Sequence, residues 1–181
     1  MKKSKLITLK APLTDKEIKA LQAGDKVTIS GTIYAARDSA HRMFGKKPPF
    51  DPAGAILYYA SPTPTRKGEV IGSIGPTTAT RMDTFTPGLL KAGVKITIGK
   101  GRRSQEVIDA MKKHKAAYLV VAGGTAALLA KHVKKANVIA YPELGPEAVL
   151  KLEVHNFPAI VAIDCKGGDL FEKGKKKFRS A

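Results

Sequence analysis

The alternation in the second half of this chain constrains its fold more than any other feature. "GVKITIGKG" (93–101) reads as a strand, "SQEVIDAMKKH" (104–114) as a helix and "AAYLVVAGG" (116–124) as a buried strand. "TAALLAKHV" (125–133) follows as a second helix, after a tight turn capped by Thr125, and "NVIAYPE" (137–143) as a third strand. Strands that alternate with helices over short connections bury their apolar faces by lying parallel under a helical cover. "PAIVAIDCKG" (158–167) adds a closing strand and turn. The expected fold class is α/β, a β-rich N-terminal part joined to a βαβαβ second half.

The first half is punctuated differently. Thr14 to Ala23 reads as a helix, with Thr14 as its cap, Glu17 three residues on and Gly24 as the stop. "DKVTISGTIYAA" (25–36) alternates as a strand, and "RDSAHRMF" (37–44) follows as a loop or short helix. The proline-rich "GKKPPFDPAG" and "SPTPTRKGE" are loops on either side of the strand "AILYYA". Val70 to Ile74 reads as another strand, with Gly75 and Pro76 turning the chain into a helix that runs through Met82 towards Leu90. Pro87 breaks or restarts that helix. No repeat and no low-complexity linker divides the 181 residues, so the expectation is one domain over 1–181 that carries a basic tail at 172–181.

A charge of +17, from 32 Lys+Arg against 15 Asp+Glu, implies an anionic partner or a field that draws in a small anion. Much of the excess is lysine in runs, and with aromatics at 6% and no tryptophan there is no stacking platform for single strands. A nucleic-acid-binding protein stays open as a reading of another class; it predicts affinity that falls steeply with salt. A single cysteine, Cys165, excludes an internal disulfide and fits a reducing cytosol. The lack of a membrane-length apolar run or a signal-peptide pattern gives a cytoplasmic expectation. The four histidines have no metal-ligand spacing, and helix-end cation roles suffice for His114 and His132.

"GPTTATRMD" (75–83) gathers hydroxyls and an arginine at a helix start, where unpaired backbone amides favour an anion. "ARDSAHRMF" places Arg37, Asp38 and His41 just past a strand end, as a ligand group or as a surface charge cluster. Lys100 follows a third strand. Three strand-to-loop junctions therefore each offer a cation (Arg37, Arg81 and Lys100), a set suited to a dicarboxylate.

The segments "GTIYAARDSAHRMF", "GSIGPTTATRMD", "IGKG" and "GPEAVLKLEVHNFPAIVAIDCKGGDLF" resemble, in order, the motifs of the β subunit of class I, iron–sulfur-dependent fumarate hydratases. The L-tartrate dehydratase β subunit belongs to the same family, and the resemblance runs from about residue 15 to residue 172. It implies a swivelling β/β/α domain and half of a hydro-lyase site that hydrates fumarate to L-malate, or in the sister enzyme turns tartrate into oxaloacetate. By that resemblance Arg37, Arg81, Lys100 and Thr78 hold the substrate and Thr77 lies where the proton is abstracted. Asp38 and His41 support the acid–base apparatus. The 4Fe–4S cluster is then bound by the cysteines of a partner α subunit, in an α2β2 assembly, and no metal is held by this chain.

Overall fold

The computed structural model describes residues 6–179. In chain order the elements are β1 (Leu6–Lys10), α1 (Asp15–Ala20), β2 (Lys26–Ala35), α2 (Asp38–Phe44), β3 (Ile56–Tyr58), β4 (Ala60–Pro62) and β5 (Ile74–Pro76). There follow α3 (Thr86–Ala92), β6 (Ile96–Gly99), α4 (Gln105–His114), β7 (Ala117–Val120), α5 (Ala126–Ala130), β8 (Val133–Ala140), β9 (Val149–Ile163) and α6 (Leu170–Phe178). Two 3₁₀ segments, Ala79–Met82 and Pro142–Glu147, lie between them.

The main sheet runs β1-β2-β3-β6-β7-β9-β8, and β2 also pairs with β9, so β2, β3, β6, β7 and β9 close into a ring. Closure leaves the strands of the ring without free edges. β2–β3, β3–β6 and β6–β7 are parallel, whereas β9 runs antiparallel to β2, β7 and β8. Side chains alternate between faces along a strand. Ile56 and Tyr58 of β3 join Ile96 and Ile98 of β6 in one core cluster with Ile29, Ile33 and Val161. Leu57 and Tyr59 point the other way, into a second cluster with Leu89 and Leu90 of α3 and Val107 and Met111 of α4. All four residues of β6 are buried, as befits a strand covered on both sides.

Mixed α/β architecture is therefore as expected, but several elements differ. Within the second half the parallel strand–helix–strand unit is β6-α4-β7; β8 does not join β7, because the 15-residue β9 lies between them. The first part of β9 (149–157) and the edge strand β1 were not expected as strands. β8 starts at Val133 and the preceding helix is only Ala126–Ala130. The Thr125 hydroxyl does not cap that helix but donates to the Ala122 carbonyl at 2.6 Å. α1 carries the expected Thr14–Glu17 capping box, yet stops at Ala20, before Gly24.

The strand expected at 70–74 is displaced. β5 is Ile74–Pro76, paired antiparallel with β4, so Gly75 and Pro76 lie in the strand and not in a turn. At Gly72 a Cβ would collide with the Thr63 backbone carbonyl, so only glycine admits this close approach of the two arms of the 63–73 loop. The helix expected after it, with a break or restart at Pro87, is in two pieces: a 3₁₀ turn at Ala79–Met82, then α3, with Pro87 in its first turn, where proline is tolerated. Within the expected basic tail, α6 is capped by the Asp169 carboxylate, which accepts from the Phe171 amide at 2.7 Å. Lys175, Lys176 and Lys177 fall in its last turn, where the helix dipole favours cations. Ser180 and Ala181, the end of that tail, lie outside the described residues.

Candidate functional site

β2 ends at Ala35, and the Ala36 amide bonds to the Tyr58 carbonyl at 3.1 Å, so Arg37 leaves the barrel at the C-terminal ends of the parallel strands. α2 then begins with Asp38, a buried carboxylate on a helix N-terminus. Three guanidinium groups converge on it. Arg81 Nη2 donates to Asp38 Oδ2 at 2.7 Å, Arg42 Nη2 lies 3.6 Å from the same oxygen, and Arg37 Nε lies 3.7 Å from Oδ1. Burial pushes the Asp38 carboxyl up, but its own backbone amide and the charges of Arg81 and Arg37 outweigh this and hold it below the usual range. Asp38 is thus an ionised anchor for arginines and not a proton donor.

Arg37 is more engaged than a free carboxylate fork would be. Its Nη1 donates to Ser61 Oγ at 3.1 Å and its Nη2 faces Glu147 Oε1 at 3.6 Å. A guanidinium has five N–H donors, so one on each terminal nitrogen remains for a ligand. Arg81, with 49% of its side chain exposed, has only its side-chain contact to Asp38 among the described residues and presents the more open fork. Arg37, Arg42 and Arg81 outnumber the carboxylates of Asp38 and Glu147, and Lys100 adds a further exposed cation. The field of this face is positive.

Thr77, Thr78 and Lys100 come together through the backbone. Thr77 N donates to the Tyr59 carbonyl at 2.7 Å, Lys100 N to the Thr77 carbonyl at 3.2 Å and Ala79 N to the Lys100 carbonyl at 2.9 Å. Thr78 and Lys100 form an isolated parallel bridge. The glycines of "IGKG" explain how the two segments fit. A Cβ on Gly99 would stand 3.1 Å from the Ala79 Cβ and 3.4 Å from the Thr77 carbonyl, and Gly101 has φ +82, a region L side chains avoid. Thr78 precedes the 3₁₀ turn without capping it by its side chain, which removes the simplest structural reason for that hydroxyl.

His41 does not pair with Asp38. It is fully buried, donates from Nδ1 to the Arg37 carbonyl at 2.7 Å, and is ringed by Phe44, Tyr59 and Phe85. Burial lowers its pKa to about 4, so the imidazole is neutral at physiological pH. Its contact is with the backbone of Arg37, a supporting position.

Glu147 was missed in the sequence: it lies in the segment "GPEAVLKLEVHNFPAIVAIDCKGGDLF" but was not singled out. The loop between β8 and β9 carries this carboxylate back to Arg37. Among the described residues the buried side-chain polar atoms without a hydrogen-bond partner are Arg37 Nε, Asp38 Oδ1, His41 Nε2 and Glu147 Oε2. All four belong to this one cluster. Buried polar groups are nearly always paired, so such a concentration marks a place where ordered water or a ligand completes the bonding.

Cys165 packs in the first core cluster with its thiol 3.8 Å from the Ile18 carbonyl. One cysteine cannot supply the three thiolates of a 4Fe–4S cluster, and no group of three or more His, Cys, Asp or Glu able to hold a metal occurs among the described residues. No helix among these residues is long and apolar enough to cross a membrane. His114 ends α4, but burial and the nearby Lys113, Lys95 and Lys91 lower its pKa, which argues against a cationic helix-end role.

The family model described as the fumarase C-terminus matches residues 1–174. Fumarate hydratase 2 of Leishmania major is 41% identical over 177 residues, covering 92% of this chain and 31% of that protein. The aerobic class I fumarate hydratase of Escherichia coli (strain K12) is 42% identical over 156 residues, covering 82% of this chain and 28% of its own length. A putative L(+)-tartrate dehydratase subunit beta of Methanocaldococcus jannaschii is 41% identical over 177 residues, 91% of either chain. The chain spans about a third of the length of the fumarate hydratases it matches.

Proposed function

Since this chain belongs to the fumarase C-terminus family, we propose that it is the β subunit of a hydro-lyase interconverting fumarate and L-malate, active only with an α subunit. The observation that carries this reading is the convergence of Arg37, Arg42 and Arg81 on Asp38, where buried polar atoms are left unpaired. Beside it stand Thr77, Thr78 and Lys100, held together by backbone bonds.

Dehydration of malate takes a proton from the carbon next to one carboxylate and hydroxide from the neighbouring carbon. The C–H electron pair becomes the double bond, and the hydroxide leaves as water after gaining a proton. Negative charge grows on the carboxylate next to the deprotonated carbon, so preplaced cations stabilise the transition state more than the ground state. Arg81 takes one carboxylate by its open fork, Arg37 and Lys100 take the other, and Thr78 donates a hydroxyl. The Thr77 hydroxyl lies at the proton to be removed and needs a stronger base from the partner to accept it in turn. Asp38 and His41 serve by holding Arg81 and the Arg37 backbone.

The 4Fe–4S cluster of class I fumarases does not fit this chain's residues, so it belongs to the cysteine-bearing α subunit. The fold is read as a swivelling β/β/α domain, the assembly as α2β2 and its compartment as the cytosol, in keeping with a lone thiol. L-tartrate is the alternative substrate, in line with the name of the M. jannaschii relative, which is 41% identical over 177 residues. The test is to copurify the chain with its α subunit and assay malate, fumarate and tartrate under anaerobic conditions. Preference for malate and fumarate supports the reading, strong preference for tartrate moves the assignment to the sister reaction, and inactivity on all three removes it.

A further inference from the structure

Arg103 is a buried cation outside the proposed chemistry. Its side chain is 0% exposed, and each guanidinium nitrogen has a partner. Nε donates to Asp83 Oδ1 at 2.7 Å, Nη1 to Thr97 Oγ1 at 3.1 Å and Nη2 to Thr86 Oγ1 at 2.6 Å. The group lies between the rings of Tyr59 and Tyr118, 5.3 and 5.0 Å from their centroids. Asp83 Oδ2 accepts from the Ser104 amide at 2.7 Å, so one carboxylate grips both the side chain and the backbone of the 103–104 stretch. The Thr86 hydroxyl donates to the Met82 carbonyl at 2.8 Å and accepts from Tyr59 Oη at 2.9 Å, so it has no capacity to spare.

Burying a charge so completely is expensive, and an apolar residue of similar volume commonly packs such a position at least as well. What the pair fixes is a geometry. The segments 77–83 and 100–104 are joined twice. At one end Lys100 N bonds to the Thr77 carbonyl and Ala79 N to the Lys100 carbonyl. At the other, Asp83 takes Arg103 and the Ser104 amide. Arg81 lies on the arc between the two joints, and Lys100 is part of the first. No hydrogen bond from Arg81 to the opposite segment sets its distance from Lys100 among the described residues; the two joints set it.

We propose that Arg103 and Asp83 form a positioning pair that holds Thr77, Arg81 and Lys100 at the spacing a four-carbon dicarboxylate requires. This rests on the dicarboxylate reading of the site. Displacing a binding group by about 1 Å can cost on the order of 10²-fold in rate, so a tie outside the site can govern turnover.

Asp83→Asn and Arg103→Lys, each in the assembled enzyme, test the pair; the lysine keeps the charge, but its three donors sit on one nitrogen and lack the planar fork that reaches three separated acceptors. The expected result is a KM for malate raised about tenfold and a kcat lowered up to about 10²-fold per folded enzyme. In the 181-residue chain, amide exchange should speed up at Ala79 and Lys100 and stay protected in the β2–β9 ladder. Arg103→Lys should recover part of the rate that Arg103→Met loses. Should the charge variants fail to fold, Thr97→Val removes only the Nη1 acceptor and should show the same local change in exchange. A lowered melting temperature with unchanged KM, kcat and exchange at Ala79 and Lys100 would overturn the proposal. An assembled wild type inactive on every dicarboxylate, with responsive amides, would remove the functional reading and uphold the tie alone.

Discussion

Arg81 Nη2 donates to Asp38 Oδ2 at 2.7 Å across 43 positions of sequence. The bond joins the first turn of α2 to the 3₁₀ turn that follows β5, and it aims an otherwise exposed guanidinium. A charge-assisted bond to a buried carboxylate is worth about 1.5–3 kcal/mol. Asp38→Asn should therefore free Arg81 to rotate and raise the dicarboxylate KM of the assembled enzyme by about 10- to 100-fold. Steady-state kinetics decide, and an unchanged KM would show that Arg81 is aimed by something else.

Thr77 and Arg81 should fail differently. Thr77→Ala removes a hydroxyl that acts in proton transfer, so kcat should drop about 10²–10⁴-fold with KM little changed. Arg81→Lys keeps charge and loses the fork, so KM should rise and kcat fall together. A thermal melt alongside the kinetics separates this from damage to the fold: an exposed arginine and a half-exposed threonine contribute little to the core, and both variants should melt like the wild type.

His41 makes a prediction about pH. Its pKa is about 4 when folded against 6.5 as a free side chain, so between those values the unfolded state binds the extra proton. Stability from the neutral buried ring is fully present above pH 6.5 and is lost as pH falls towards about 4. The loss is about 3 kcal/mol, a large part of a typical folding free energy. Urea midpoints of the isolated chain from pH 7.5 to 4 should fall accordingly, and His41→Gln should flatten the curve. Asp38, with its pKa below 3.8, contributes stability that is present above that value and is lost only at still lower pH, so the two titrations separate.

Glu147→Gln tests the residue that sequence reading passed over. Its carboxylate stands 3.6 Å from Arg37 Nη2, with about a quarter of either side chain exposed, so the pair is worth at most about 1 kcal/mol. The expected effect is a KM raised up to about fivefold with an unchanged melting temperature. If Glu147 instead competed with the substrate for Arg37, KM would fall.

Much of this protein was legible before its structure. The α/β class follows from strand–helix–strand alternation, which is local, and α1 was marked by the Thr14–Glu17 capping box, formed within four residues. Arg37, Arg81 and Lys100 could be named because cations just past strand ends occupy the mouth of such a fold. With one cysteine the chain lacks the three thiolates a 4Fe–4S cluster takes, which is why the proposal gives that cluster to a partner. Tertiary structure decided what depends on partners distant in sequence. β9 lies between β7 and β8 and also pairs with β2, ladders whose partners are far from it in sequence. Asp38 became an arginine anchor, and His41 a neutral buried support, because burial and neighbouring charge fix a protonation state that residue type leaves open. Glu147 and Arg103 had no local signature at all. Their contacts join groups far apart in sequence, Glu147 with Arg37 and Arg103 with Asp83, which tertiary structure alone brings within ion-pairing or hydrogen-bonding distance.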